Sequence, residues 1–122
     1  MRIVLVGRDL KDHDRLRRAT EGVAGRTVAV TGPERVVAFL SQNQPVDLVV
    51  LDLDDGGAEV LEGLAAAREQ GLLPLRVLGY FSHVREDTGR AAHAAGVEAY
   101  PRSRFWRELT SLLASGESGS QG

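Results

Sequence analysis

The segment Asp47-Leu-Val-Val-Leu-Asp52 limits the fold more than any other part of the chain. Its four consecutive apolar residues, with an acid at each end, read as an interior strand of a parallel sheet. A carboxylate at the C-terminal end of such a strand lies where open α/β sheets place their chemistry. The first strand, within Arg2-Ile-Val-Leu-Val-Gly-Arg-Asp9, is expected to end beside it. Partner acids that could hold a metal ion would be sought there, and the chain offers Gly7 and Arg8 instead.

Apolar strands alternate with helical patterns along the rest of the chain. Strand one is Ile3 to Val6. A helix is expected from about Lys11 to Val23, with Leu16, Ala19, Thr20 and Val23 on one face and Gly25 closing it. Strand two is Thr27 to Val30. Pro33 opens a second helix at its first turn, with Val36, Val37, Phe39 and Leu40 as its apolar stripe. Strand three is Val46 to Asp52, and Asp54-Asp-Gly-Gly57 is the turn after it. The third helix buries Val60, Leu61, Leu64 and Ala65 and ends at Gly71. Strand four runs from about Leu75 to Tyr80. A short helix with Ala91, Ala92, Ala94 and Ala95 ends at Gly96, and strand five is Val97 to Tyr100. The last helix carries Phe105, Leu109, Leu112 and Leu113. Five βα units in a row imply an α/β protein, with a parallel sheet covered by helices on both faces.

With 122 residues the chain has room for one domain, expected over residues 1–115, followed by a flexible tail over 116–122. The net charge of −2 gives no argument for nucleic acid or an anionic membrane. There is no cysteine, which excludes disulfides and thiolate chemistry. No apolar run is long enough to span a bilayer. The chain enters a strand within two residues, so no signal peptide is expected and a cytoplasmic protein is the default.

Two segments carry a family resemblance. Asp47-Leu-Val-Val-Leu-Asp52 is followed by an acidic glycine turn, and Ala94-Ala-Gly-Val-Glu-Ala-Tyr100 precedes the last helix. With five correctly spaced βα units, the chain from Arg2 to about Ala114 resembles the receiver domain of response regulators, the phosphoacceptor module of two-component signalling. The resemblance implies a flavodoxin-like three-layer sandwich of five helices around a five-stranded parallel sheet in the order 2-1-3-4-5. It also implies roles. Asp52 matches the phosphoacceptor aspartate. Gly7 and Arg8 stand where the family has two magnesium-binding acids. Gly79 stands at the hydroxyl that contacts the phosphoryl group, with Ser82 three residues on. Ser103 stands at the phosphoryl-binding lysine, and no realignment supplies one, because Lys11 is the only lysine.

These departures have a chemical meaning. Transfer of a phosphoryl group to a carboxylate brings anions together and needs a divalent cation and a fixed positive group. Magnesium requires several oxygen ligands in near-octahedral geometry. Gly7 offers only its backbone, and Arg8 adds a like charge to the cation. The chain therefore reads as a degenerate, or pseudo-, receiver with no cofactor and no magnesium.

Asp52 is read as paired with an arginine, Arg8 being the nearest in the pattern; phosphorylation and satisfaction by backbone N–H groups are the alternatives. Asp54 and Asp55 could supply metal oxygens, but such acids more often cap a helix. Ser82, His83, Arg102, Ser103 and Arg104 flank one rim, where Arg8, Arg102 and Arg104 could bind an anion. Against this, Ser103 could simply cap the last helix. His13, His83 and His93 have no ligand-like spacing, so no metal site is expected from them. Phe105 and Trp106 are consecutive on a helix and cannot both face the core fully. Tyr100 and Trp106 are expected on an interface formed by the fourth helix, fifth strand and fifth helix.

The expected function is a stand-alone, non-enzymatic signalling module that contacts a protein partner or a second copy through that face. One alternative is a working response regulator phosphorylated on Asp52. The other is a small anion- or nucleotide-binding domain, for which the first strand lacks a Gly-rich phosphate loop. A basic stripe for nucleic acid is also missing.

Overall fold

The computed structural model describes residues 1–21 and 25–119. Five strands alternate with helices: β1 (Arg2–Val6), α1 (Leu10–Thr20), β2 (Thr27–Thr31), α2 (Val36–Gln42), β3 (Leu48–Asp52), α3 (Gly57–Glu69), β4 (Val77–Phe81), α4 (Glu86–Ala94), β5 (Glu98–Pro101), α5 (Arg102–Arg107) and α6 (Leu109–Gly119). All strand pairs are parallel, in the order β2-β1-β3-β4-β5. This is the flavodoxin-like α/β arrangement.

The sheet separates two apolar layers. Val4, Val6, Val49, Leu51 and Val77 face α2, α3 and α4 through Val36, Leu40, Val60, Leu64 and Ala92. The alternate residues Ile3, Leu5, Leu48, Val50, Leu78 and Tyr80 face α1, α5 and α6 through Leu16, Phe105, Leu109 and Leu113. Successive strand side chains point to opposite faces, so a central strand must be apolar at every position. Every residue of β3 and of β4 is buried.

The two acids that bracket β3 have different fates. Asp47 is exposed, and its carboxylate accepts the Arg2 backbone N–H at 2.7 Å, tying β3 to β1. Asp52 is buried at the other end.

Several expected boundaries shift. The first helix ends at Thr20 because Glu21 is extended, with φ −60° and ψ 140°; Val23 lies outside the described residues. Pro33 opens a single 3-10 turn, Pro33–Arg35, before α2. In α3 the inward position is Ala67, while Ala65 is exposed. The final helix is divided at Glu108, so the described residues form six α-helices where five were expected. Its hydrogen-bond ladder crosses the division, from Glu108 N–H to the Arg104 carbonyl and from Leu112 N–H to the Glu108 carbonyl. Helix α6 continues to Gly119, past the boundary expected at residue 115; residues 120–122 lie outside the described residues.

Gly79 pairs with Leu51 and lies on the α3–α4 side of β4. A Cβ there would lie 2.9 Å from Leu53 Cδ1 and 3.0 Å from Val97 Cγ1. Such a contact overpacks the core. Gly79→Ala should lower unfolding stability by about 1–3 kcal/mol in urea titration. An unchanged midpoint would mean that the neighbours yield at no cost.

Candidate functional site

The C-terminal edge of the sheet gathers three carboxylates around one guanidinium. Asp52 ends β3 and stands beside Tyr80 of β4, its register partner, on the face covered by α1 and α5. Asp12 comes from the first turn of α1, which Asp9 caps through the Lys11 N–H at 2.8 Å. Asp54 comes from the turn after β3. Arg102, the first residue of α5, reaches all three: Nη1 donates to Asp12 Oδ2 at 2.8 Å, Nη2 to Asp52 Oδ1 at 3.2 Å, and Nε to Asp54 Oδ2 at 3.3 Å. The planar fork of five N–H donors makes this division possible, and a lysine could not reproduce it.

Further donors complete the cluster. The Tyr80 hydroxyl donates to Asp12 Oδ2 at 2.8 Å. The Asp54 N–H donates to Asp52 Oδ1 and the Ser82 N–H to Asp54 Oδ1, both at 3.0 Å. The Arg102 guanidinium also lies over the Tyr80 ring, 4.6 Å from its centroid. Asp12 is 2% exposed and Asp52 3% exposed. Burying a carboxylate costs several kcal/mol unless it is paired and hydrogen-bonded.

One guanidinium does not balance three acids. Burial pushes the Asp52 carboxyl up from the ordinary 3.8 to about 6; the Asp54 N–H and Arg102 oppose this, while the charges of Asp12 and Asp54 add to it. Burial also raises the Tyr80 hydroxyl, aided by Asp52 and Asp12. Partial burial works against the Arg102 cation, but the hydrogen bond and charge of Asp12, with the charge of Asp52, hold it above the ordinary arginine range.

The expected pairing of Asp52 with an arginine is present, but the partner is Arg102 and not Arg8. Arg8 instead clamps Asp55: Nη2 lies 2.6 Å from Oδ1, and both Nε (3.1 Å) and the backbone N–H (2.9 Å) donate to Oδ2. Asp54 and Asp55 therefore hold arginines and do not cap α3, whose N-cap is Gly56 with no side-chain cap. Ser103 does not cap the last helix either; it sits exposed inside α5, after the N-cap Pro101. Arg104 bonds Glu108 at 2.8 Å and stacks on Tyr100 at 5.2 Å. All three arginines proposed for anion binding, Arg8, Arg102 and Arg104, thus already hold carboxylates.

Gly79, expected to face Asp52, lies on the opposite side of the sheet, and Ser82 contributes its backbone N–H through Asp54. Gly7 has a steric role: a Cβ there would be 2.8 Å from the Asp52 Cβ. An acid could not be restored at that position without moving Asp52. His13 Nε2 lies 2.8 Å from the Gly7 carbonyl oxygen, and His83 and His93 are exposed. Among the described residues, no group of three His, Asp or Glu side chains is arranged to hold a metal ion, and no helix is long and apolar enough to cross a membrane.

Trp106 corrects the expected interface. It packs against Tyr80 at 5.1 Å and Phe105 at 5.0 Å and lies beneath Arg15 of α1. That places it on the α1 side, away from α4. Tyr100 remains half-buried on β5.

Asp12 and Tyr80 were not legible as site residues. Asp12 lies four residues before Leu16, on the inward face of α1, and that spacing was the available signal. Tyr80 lies two residues after Leu78 on the same face of β4.

The chain matches no family model, and neither a curated protein nor a solved structure matches it.

Two measurements test the cluster. Between about pH 4 and 6 the folded protein retains a proton on Asp52 that the unfolded chain has released, so this residue lowers stability as pH rises through that window. Asp52→Asn should therefore be the more stable protein at pH 7.5, by up to about 3 kcal/mol, and converge with the parent near pH 4. Parallel stability–pH curves would refute the strained carboxylate. Arg102→Met keeps the aliphatic stem and removes the cation. It should lose about 3–5 kcal/mol at pH 7.5 and recover part of this at pH 4.5, as the stranded carboxylates take up protons. A loss independent of pH would indicate packing alone.

Proposed function

We propose that this chain is a pseudo-receiver: a cytoplasmic, non-enzymatic signalling module that acts through protein contact. In this reading Asp52 does not enter the magnesium-dependent phosphoryl chemistry of response regulators. The observation that carries it is the Arg102 guanidinium seated among Asp12, Asp52 and Asp54. The flavodoxin-like strand order, with Asp52 at the end of β3, supports the receiver-like part.

The chemical argument concerns charge. A phosphoryl donor is itself an anion. To reach Asp52 it must displace Arg102 and then stand among three carboxylates without their counter-ion. A divalent cation would meet the fixed positive charge of Arg102 at the same place. The Arg102 guanidinium thus supplies permanently a part of the neutralisation that a metal would supply transiently. Engagement of Arg8 and Arg104 by acids also argues against an anion- or nucleotide-binding rim.

For the contact surface we favour the face formed by α4, β5 and α5, centred on Tyr100, with a protein partner or a second copy as its occupant. Ala91 and Ala94 are exposed on α4, and small side chains there permit close approach. Neither nucleic acid nor membrane belongs to this reading.

One observation favours a second reading. Arg102 Nη2 is 3.2 Å from Asp52 Oδ1, so it could act as the fixed positive group for a phosphorylated Asp52. Intact-protein mass after incubation with acetyl phosphate and magnesium separates the two, with Asp52→Asn as control. The pseudo-receiver reading expects no change in mass. A gain of one phosphoryl group that disappears in Asp52→Asn would overturn it and make Arg102 the substitute for the missing lysine.

A further inference from the structure

Helix α1 and the α5–α6 segment lie side by side on one face of the sheet. Between them runs a groove of about 320 Å³, lined by Arg15, Arg18, Ala19, Trp106, Leu109 and Thr110. Ala19, Trp106 and Leu109 make its apolar part, two arginines its charged part, and no acid lines it.

Among the described residues, Trp106 and Arg15 in this groove both have donors without a protein acceptor, the first buried and the second exposed. The indole Nε1 of Trp106 is buried with no hydrogen-bond partner. A buried donor left unsatisfied is costly, and native structures rarely keep one without a reason. Arg15 is exposed and rests on the Trp106 ring, 5.5 Å from its centroid. Among the described residues it has no carboxylate within ion-pair distance. Arg18 does have one, Asp14 at 3.0 Å, but the two side chains are 74% and 60% exposed. A pair so exposed is weak and readily exchanged. The groove therefore holds apolar surface and cationic charge, and lacks an acceptor of negative charge.

We infer that this groove docks an acidic segment of a partner protein. A Glu or Asp side chain of the partner lies on Arg15 at the edge of the Trp106 ring, and a neighbouring apolar side chain packs against Ala19 and Leu109. The guanidinium fork recognises a carboxylate bidentately, and the concave shape takes a side chain where a flat bilayer surface would not enter. The inference rests on the interaction-module reading and adds the chemistry of one partner; it does not depend on the fate of Asp52.

Trp106 is the only tryptophan of the chain, so all tryptophan emission comes from a residue that lines this groove. The probe is a short peptide of glutamate and leucine, free of Trp and Tyr. The controls are the same peptide with lysine for glutamate, and sodium sulfate. The expected result is a saturable change in Trp106 emission with the acidic peptide, weakened by added salt. Calorimetry of Arg15→Ala should show about tenfold or greater loss of affinity, against no change in Arg107→Ala, a surface arginine outside the groove. The inference falls if the acidic peptide gives no saturable change, if the lysine peptide or sulfate alone reproduces it, or if Arg15→Ala binds like the parent. Failure here with no phosphorylation of Asp52 removes the groove and leaves the interaction-module reading standing. An Asp52-dependent mass gain removes the pseudo-receiver reading, whatever the peptide does.

Discussion

The C-terminal edge of this sheet depends on a single cation. Asp12 and Asp52 are almost wholly buried and share Arg102 with Asp54, so the first turn of α1, the end of β3 and the turn after it would repel one another without that cation. The guanidinium joins α1, the end of β3 and the start of α5 through one rigid group. Because its five donors are fixed in a plane, satisfying one carboxylate constrains the position of the next. Tyr80 extends the cluster into the core, with its hydroxyl on Asp12 and its ring beneath Arg102 and against Phe105 and Trp106. Polar edge and aromatic core are thereby one packed unit.

This arrangement explains why several neighbouring residues are what they are. Gly7 allows β1 to pass Asp52 at a distance no side chain would tolerate. Arg8, displaced from Asp52, finds its acid in Asp55 and ties the β1–α1 turn to the β3–α3 turn. The residual imbalance of charge is concentrated on Asp52, whose carboxyl is pushed up toward neutrality. Buried ion clusters of this kind contribute more to fixing one arrangement than to net stability, since desolvation offsets much of the Coulombic gain. In the proposed interaction-module reading this edge keeps one arrangement. A phosphorylation switch would need that edge to rearrange.

Much of the fold was legible because strand burial leaves a local signature. A strand covered on both faces is apolar along its length, as are Leu48–Leu51 of β3 and Ile3–Val6 of β1, the buried Asp52 at the end of β3 being the exception. Helix ends were less legible. The chain leaves α1 at Glu21, and the division of the last helix at Glu108 follows no Pro or Gly. In the candidate site, Asp52 was readable from its place at a strand end, whereas the choice among Arg8, Arg102 and Arg104 was not. All three are close to the rim in the order of the chain. Which one reaches Asp52 depends on the direction in which each backbone leaves its strand.

The amino-acid sequence by itself determined the alternation of strands and helices, the parallel sheet and the presence of an acid at its C-terminal edge. Each of these follows from residues near one another in the chain, through periodicity and burial. Only the tertiary structure decided the partners of that acid. Asp12 and Arg102 lie 90 positions apart, and Arg102 and Asp52 lie 50 apart. They meet because α1, β3 and α5 share one face of the sheet. A hydrogen bond needs its atoms about 3 Å apart with the donor aimed at the acceptor, and no local pattern of residue types encodes that geometry.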